Sequence, residues 1–250
     1  MNNPITLITT VRNGDIFLDR FAKNIKASLR PQDRAIIVDD GSDRSVSLPA
    51  PLRNDDRVTL LIPGPVGRGA ALNLAIENAP TDLIAIQDID DLSLPGRLEH
   101  QSEFQSHNQD ALIFTRATSD PWRPCFGRSR KIPAARLYLG NPLHHSSLAL
   151  HRDVWRRAGG YPTDIPCCID LEFYLRACLV GGASIWRLND VLIERNLDPK
   201  TRHFAGIPAK TYHITRQQVL DRYHARVSQS YWLAFAKIRN ILAGRKDHAS

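Results

Sequence analysis

Short apolar runs separated by stretches of helical period constrain this chain more than any other feature. Ile5–Val11, Arg34–Asp39, Arg57–Ile62 and Asp82–Gln87 are each long enough for a strand and too short for a helix. Behind the first run, Leu18, Phe21, Ala22, Ile25 and Leu29 fall at helical spacing. Behind the third, after a turn rich in Pro and Gly, Leu72, Ala75, Ile76 and Ala79 do the same. Behind the fourth, a helix is expected from near Ser93, with Pro95 in its first turn. Alternation of this kind implies an α/β fold with a mostly parallel sheet flanked by helices. Ligands bind such sheets beyond the carboxyl ends of the strands.

Two of those ends are acidic. Asp39 and Asp40 open the turn Asp39-Asp-Gly-Ser42, and Asp88, Asp90 and Asp91 follow the fourth run. Carboxylates this close repel one another unless a positive partner sits among them, and their hard oxygens suit Mg²⁺ or Mn²⁺. Asp91 or Ser93 is also expected to cap the next helix, but a cap needs one such residue, not three acids. At the neighbouring tip, a carboxylate can accept a hydrogen bond from a nucleobase N–H or a ribose hydroxyl. Between them, Gly64-Pro-Val-Gly-Arg-Gly-Ala-Ala-Leu-Asn73 puts glycines and Arg68 ahead of a helix, where backbone N–H groups and a guanidinium can meet a phosphate. Its spacing is neither that of the Walker lysine motif nor that of the dinucleotide fingerprint.

Past a strand expected near 111–117, the segment 119–143 has little periodicity, as functional loops often do. Arg116, Arg123, Arg128, Arg130, Lys131 and Arg136 are set there against a single acid, Asp120, with Trp122 among them. An aromatic ring among cations can stack on a sugar face while the cations attract an anionic acceptor. A helix is expected over 169–180 and two short strands near 184–188 and 191–195. Farther on, Tyr231, Ala234, Phe235, Ile238, Ile241 and Leu242 form a helical stripe flanked by Lys237 and Arg239.

The net charge of +7 belongs to this last part, since residues 200–250 hold ten Lys/Arg and two Asp/Glu, which leaves about −1 for the rest. With Trp232, the stripe suits packing on a core or a partner helix, or an interfacial helix on an anionic membrane. No nucleic-acid-binding motif accompanies the charge, so no nucleic-acid partner is expected. Cys125, Cys167, Cys168 and Cys178 match neither zinc spacing nor a secreted disulfide framework and are expected to be reduced bystanders. With no basic leader and no apolar stretch of membrane-spanning length, a cytoplasmic protein is expected.

In order along the chain stand a strand ending near Asn13, Val38-Asp-Asp-Gly-Ser42, Gly67-Arg-Gly-Ala-Ala-Leu-Asn73, and Gln87-Asp-Ile-Asp-Asp91 with Leu94-Pro-Gly-Arg97. Asn141-Pro-Leu-His-His145, Gly159-Gly-Tyr161 and Ile169-Asp-Leu-Glu172 follow. Over roughly residues 5–200 this ordered set resembles the family 2 glycosyltransferases. The resemblance implies a GT-A type, Rossmann-like domain over 1–200, with a nucleotide-sugar half to about 118 and an acceptor half over 119–200. A basic helical C-terminal extension would occupy 201–250. It implies a hexosyltransferase-type enzyme that moves a sugar, with inversion, from a nucleotide diphosphate donor, most often a UDP-sugar, to a hydroxyl of a glycan or lipid-linked acceptor. Carried over by position, Asp40 would hold the nucleoside with Asp39, Thr9 and Asn13 around it, and Arg68 and Asn73 would lie near the diphosphate or ribose. Asp88 and Asp90 would be the DxD pair, with Asp91 a substitute ligand for the divalent cation. Asp170 would be the general base, and His145, Trp122 and Glu172 would lie on the acceptor side. Two departures stand out. Ile169 takes the place of a common Glu, and Arg195-Asn-Leu-Asp198 lacks the histidine that many relatives place shortly after that arginine; His203 is only a shifted substitute.

A sugar-phosphate nucleotidyltransferase would share the sheet and the paired aspartates. Such enzymes usually carry a glycine-rich basic loop after the first strand, which Thr9-Thr-Val-Arg-Asn-Gly14 does not match.

Overall fold

Period-two alternation in the apolar runs sorts their side chains between two cores, one on each face of a sheet. Ile8, Ile36, Val38, Ile84 and Ile86 enter one core; Leu7, Ala35, Ile37, Leu83 and Ala85 enter the other. The computed structural model describes residues 3–121, 127–198, 200 and 206–227. Its first half runs β1 (Ile5–Val11), α1 (Asp15–Ser28), β2 (Arg34–Asp39), the single turn α2 (Ala50–Arg53), β3 (Val58–Leu61), α3 (Arg68–Asn78), β4 (Leu83–Ile86) and β5 (Leu92–Ser93). Then come α4 (Arg97–His107), β6 (Ala111–Ala117), β7 (Ser129–Ile132), β8 (Ala149–His151), α5 (Arg152–Ala158), α6 (Ile169–Leu179), β9 (Ser184–Glu194) and α7 (Ala209–Val227). Two 3-10 stretches, Ala134–Leu139 and His145–Ser147, connect β7 to β8.

The strand order is β3-β2-β1-β4-β8-β6-β9-β5, with β7 paired to β9. β1, β2, β3, β4, β6 and β9 run one way, and β5, β7 and β8 run against them. Ile8 lies opposite both Ile36 and Ile86, so β1, β2 and β4 finish at one edge. The acidic tips therefore face the same side.

The structure corrects four local expectations. No helix starts near Ser93. Leu92 and Ser93 pair with Glu194 and Ile193 as β5, and α4 begins at Arg97 after Gly96, which has φ +82°. Neither Asp91 nor Ser93 caps α4, because Ser93 donates to Gln87 and Asp91 accepts from Asn196 and Ser146. The two strands expected near 184–188 and 191–195 are one, β9, continued through Asn189 by its N–H to Arg128 O at 3.0 Å and irregular in register against β6. The loop expected over 119–143 contains β7, an edge strand whose exposed Arg130 and Lys131 give it no apolar period.

Arg97 is buried at 1% exposure and ties β4, β5 and α4 together. It donates to Ile86 O at 2.6 Å, Ser93 Oγ at 2.9 Å, and Gln87 Oε1 and Gln101 Oε1 at 3.1 Å each. Gln101 carries the network on to Ser147 O at 2.7 Å.

Helix α7 lies within the segment expected as a C-terminal extension, and it packs on the domain through Val219, Leu220, Tyr223 and Val227 in the first core. Tyr138 donates to Leu220 O at 2.8 Å, and Tyr223 donates to Glu172 Oε1 at 2.6 Å, while Arg176 forks onto the same carboxylate at 2.7–3.2 Å. The expected stripe over 231–242 lies outside the described residues. No helix among the described residues is long and apolar enough to cross a membrane. Tyr223→Phe removes a buried hydrogen bond to an ionised group and is expected to lower unfolding stability by about 1.5–3 kcal/mol in urea titrations, without altering the far-UV spectrum.

Candidate active site

Side-chain bonds to the main chain shape the loops at the carboxyl edge. Thr9 Oγ1 donates to Gln87 O at 2.9 Å and holds the end of β4 to β1. Asn13, at φ +54°, donates its N–H to Ser42 Oγ at 2.9 Å and exchanges bonds with Asp43 at 2.8 and 3.1 Å, clipping the loops after β1 and β2 together. Asp39 accepts from the Ser42 and Val46 N–H groups at 2.9 Å each; burial works to raise its pKa, but these bonds lower it. Asp40 Oδ1 accepts from the N–H groups of Val66 at 2.9 Å and Gly67 at 2.7 Å, docking the glycine-rich loop onto β2. These four residues frame the edge. None of them is in the wall of the main cavity.

That cavity, of about 830 Å³, brings together Arg68, Asp88, Asp90, Asp91, His145 and Asp170. Asp88, Asp90 and Asp91 each offer an oxygen, all within 4.8 Å of one another. Asp88 Oδ1 accepts from Arg68 Nη2 at 2.5 Å and Oδ2 from Ser146 Oγ at 2.9 Å. Burial would push the Asp88 carboxyl up, but the Arg68 charge and the Ser146 hydrogen bond hold it well below the usual carboxylate range. Asp91 goes the other way. Burial first, then the Asp88 and Asp90 charges, raise it to about 6 against hydrogen bonds from Ser146 and from the Asn196 N–H at 2.8 Å. The Ser146 hydroxyl reaches both Asp88 and Asp91 but has one proton to donate. It can serve only one of the two carboxylates at a time.

Two cations offset the cluster from different sides. Arg68 contacts it directly. Arg97 lies beneath; burial lowers its pKa, while the Asp91 and Asp88 charges oppose that shift. Even so, after burial, the Asp88 and Asp90 charges still act to raise the Asp91 pKa. Three converging hard-oxygen donors with surplus negative charge fit a small divalent cation. His145 Nδ1 is 3.1 Å from Arg68 Nη2, and because a guanidinium only donates, Nδ1 is the acceptor there. Nε2 then carries the ring proton toward Tyr161 OH at 3.1 Å, so His145 braces Arg68.

Asp170 lines the same cavity from the first turn of α6, its Oδ2 accepting from Asn141 Nδ2 at 3.0 Å. Cys168, at φ +59°, precedes that helix. The Cys167 and Cys168 sulfurs are 4.0 Å apart and free, and burial, with Cys167 and Asp170 close by, pushes the Cys168 thiol up to about 12, which makes it a poor nucleophile. Asn73 turns away from the cavity. Its Oδ1 accepts from the Tyr161 N–H at 2.7 Å and Trp155 Nε1 at 3.0 Å, and its Nδ2 donates to Tyr161 O at 3.0 Å, holding the Gly159-Gly-Tyr161 turn. Gly160 has φ +78°, and a Cβ there would meet Asn73 Oδ1 at 2.9 Å. A Cβ on Gly69 would likewise run into Pro162 O, so the chain just after this turn packs on the start of α3. Glu172 is 3% exposed and committed to Arg176 and Tyr223. Trp122 lies outside the described residues.

Sequence reasoning did not assign Ser146, Asn141 or Arg97. Asn141 and Arg97 stood inside quoted motifs, but a partner for either is visible only in three dimensions. Ser146 carried no signal beyond its place after His145.

Comparison with known proteins bears on the family and the fold. The family model "Glycosyl transferase family 2" matches residues 6–151. The UDP-Gal:alpha-D-GlcNAc-diphosphoundecaprenol beta-1,3-galactosyltransferase of Escherichia coli is 23% identical over 206 residues, covering 78% of this chain and 74% of that protein. Among solved structures, S. aureus TarS 1-349 in complex with UDP-GlcNAc superposes with a TM-score of 0.68 at 15% identity, over 88% of this chain and 66% of that one. The mannosyltransferase PcManGT from Pyrobaculum calidifontis, in complex with GDP-Man and Mn2+, gives 0.63 at 19% identity, over 92% and 65%. Those structures share the GT-A sheet and its flanking helices. With the family model covering more than half of its length, the chain belongs to glycosyl transferase family 2.

Proposed function

We propose that this glycosyltransferase moves a sugar, with inversion, from a UDP-sugar to a hydroxyl of a glycan or lipid-linked glycan, with Asp170 as general base. One observation carries the reading: a single cavity is lined both by the Asp88, Asp90 and Asp91 carboxylates and by Asp170. A donor diphosphate belongs beside the three carboxylates and Arg68, which leaves the anomeric carbon between them and Asp170. Asp170, oriented by Asn141, takes the proton from the acceptor hydroxyl as its oxygen attacks. Asp88, Asp90 and Asp91 would hold a divalent cation, which when bound offsets charge on the departing diphosphate. Arg68, braced by His145, adds positive charge on the same side. Thr9, Asn13, Asp39 and Asp40 shape the nucleoside end through the loops they fix. Asn73 and Glu172 act at a distance, by holding the turn and the helix that position the acceptor wall.

The relative that acts on a diphosphoundecaprenol-linked sugar supports a lipid-linked acceptor. Peripheral contact with an anionic membrane on the cytoplasmic side, through the basic residues beyond Lys200, is part of the proposal, as is the division into donor and acceptor halves. No role with nucleic acid is proposed.

Asp170→Asn is expected to cut transfer by at least about 10²-fold while leaving UDP-sugar binding unchanged, measured by release of UDP with the acceptor in excess. Full activity in this variant, or release of pyrophosphate in place of UDP, contradicts the reading. Thermal melts should show UDP with Mn²⁺ stabilising the protein by about 2.7 kcal/mol at roughly a hundred times Kd. Asp90→Ala should abolish the Mn²⁺-dependent part of that shift.

A further inference from the structure

One aromatic side chain on the acceptor wall has no part in the packing or in the chemistry described above. Tyr212, in the first turns of α7, lines the cavity and is 43% exposed. It is the single Phe, Tyr or Trp in that wall among the described residues. No hydrogen bond of its hydroxyl is found among the described residues, while its ring meets His213 edge to face at 5.7 Å between centroids. Tyr212 lines the same cavity as Cys168 and Asp170. Ile207, 38% exposed, and the half-buried Ile165 and Ile169 line the same side.

The position is held firmly for so open a residue. Buried bonds from Tyr223 to Glu172 and from Tyr138 to Leu220 O fasten α7 to α6 and to the 3-10 stretch that leads to Asn141. Asp170 and its partner Asn141 are thus fixed to the elements on which α7 rests. A pyranose presents an apolar face of C–H groups and a rim of hydroxyls. An aromatic ring with an open face and an uncommitted hydroxyl matches both.

We propose that Tyr212 is the platform for the acceptor sugar, stacking on its apolar face and setting the ring height at which one hydroxyl meets Asp170. This rests on the assignment of Asp170 as base in a sugar-transfer reaction. Tyr212 is a specificity-determining residue. Removal of its ring should weaken acceptor binding and leave the donor side untouched.

The test uses the full chain and saturation-transfer NMR with the methyl glycosides of glucose, galactose, mannose and N-acetylglucosamine as probes, with and without saturating UDP. The wild type is expected to saturate the protons on one ring face of at least one glycoside. Tyr212→Ala should weaken that binding about tenfold, while Tyr212→Phe keeps the face contacts with a smaller loss. UDP affinity should be equal in all three proteins. Equal glycoside signals in wild type and Tyr212→Ala overturn the platform, as does absence of any glycoside signal in a wild type that binds UDP. Failure to bind UDP or any nucleotide-sugar strikes instead at the transferase reading, and the glycoside arm without UDP still judges Tyr212 separately.

Discussion

Burying positive charge beneath a crowd of carboxylates is the constraint around which this site is organised. Arg97 sits under the ends of β4 and β5 with a main-chain oxygen and three side-chain oxygens around its guanidinium, and no carboxylate among the described residues pairs with it. Such burial is costly for a cation unless nearby negative charge repays it. Asp91 and Asp88 supply that charge, and Arg97 in turn makes it possible for them to stand so close. The same guanidinium fixes the strand tip that carries the cluster, so fold and electrostatics share one residue.

Compensation is incomplete by design of the chain. Arg68 pairs with Asp88 and lowers its pKa, yet Asp91 is raised to about 6, and the Ser146 hydroxyl joins the two carboxylates. A site left with surplus negative charge is prepared for a cation in a way that a fully paired cluster is not. The side of the cavity that carries Asp170 is built by packing. α7 is fastened to α6 and to the 3-10 stretch, and the chain just after the Asn73-clasped turn packs on the start of α3 at Gly69. The charged cluster and the packed elements that carry Asp170 therefore have separate physical origins and meet in one cavity.

Much of this was legible in one dimension. Apolar runs of strand length and helical spacing determined the alternation of elements, and the acidic tips at strand ends determined where a polar site had to lie. The ordered motifs pointed to Asp88, Asp90, Asp91, Arg68 and Asp170, and the cavity holds all five. Less legible were elements whose pattern is set by neighbours. β5 is two residues long and exists because β9 pairs with it, and β7 is an exposed edge without apolar period.

Local sequence by itself determined which chemical groups are present and at which strand ends they fall, because strand and helix periods are properties of contiguous residues. Tertiary structure alone decided which of them act in the cavity and which hold the frame. Asn73, Glu172 and Asp40 have the residue types of binding groups, but long-range partners, Tyr161 and Trp155, Arg176 and Tyr223, and the N–H groups of Val66 and Gly67, engage their polar atoms. Partners for a side chain are set by what the fold brings within about 3 Å, and that distance has no counterpart along the chain.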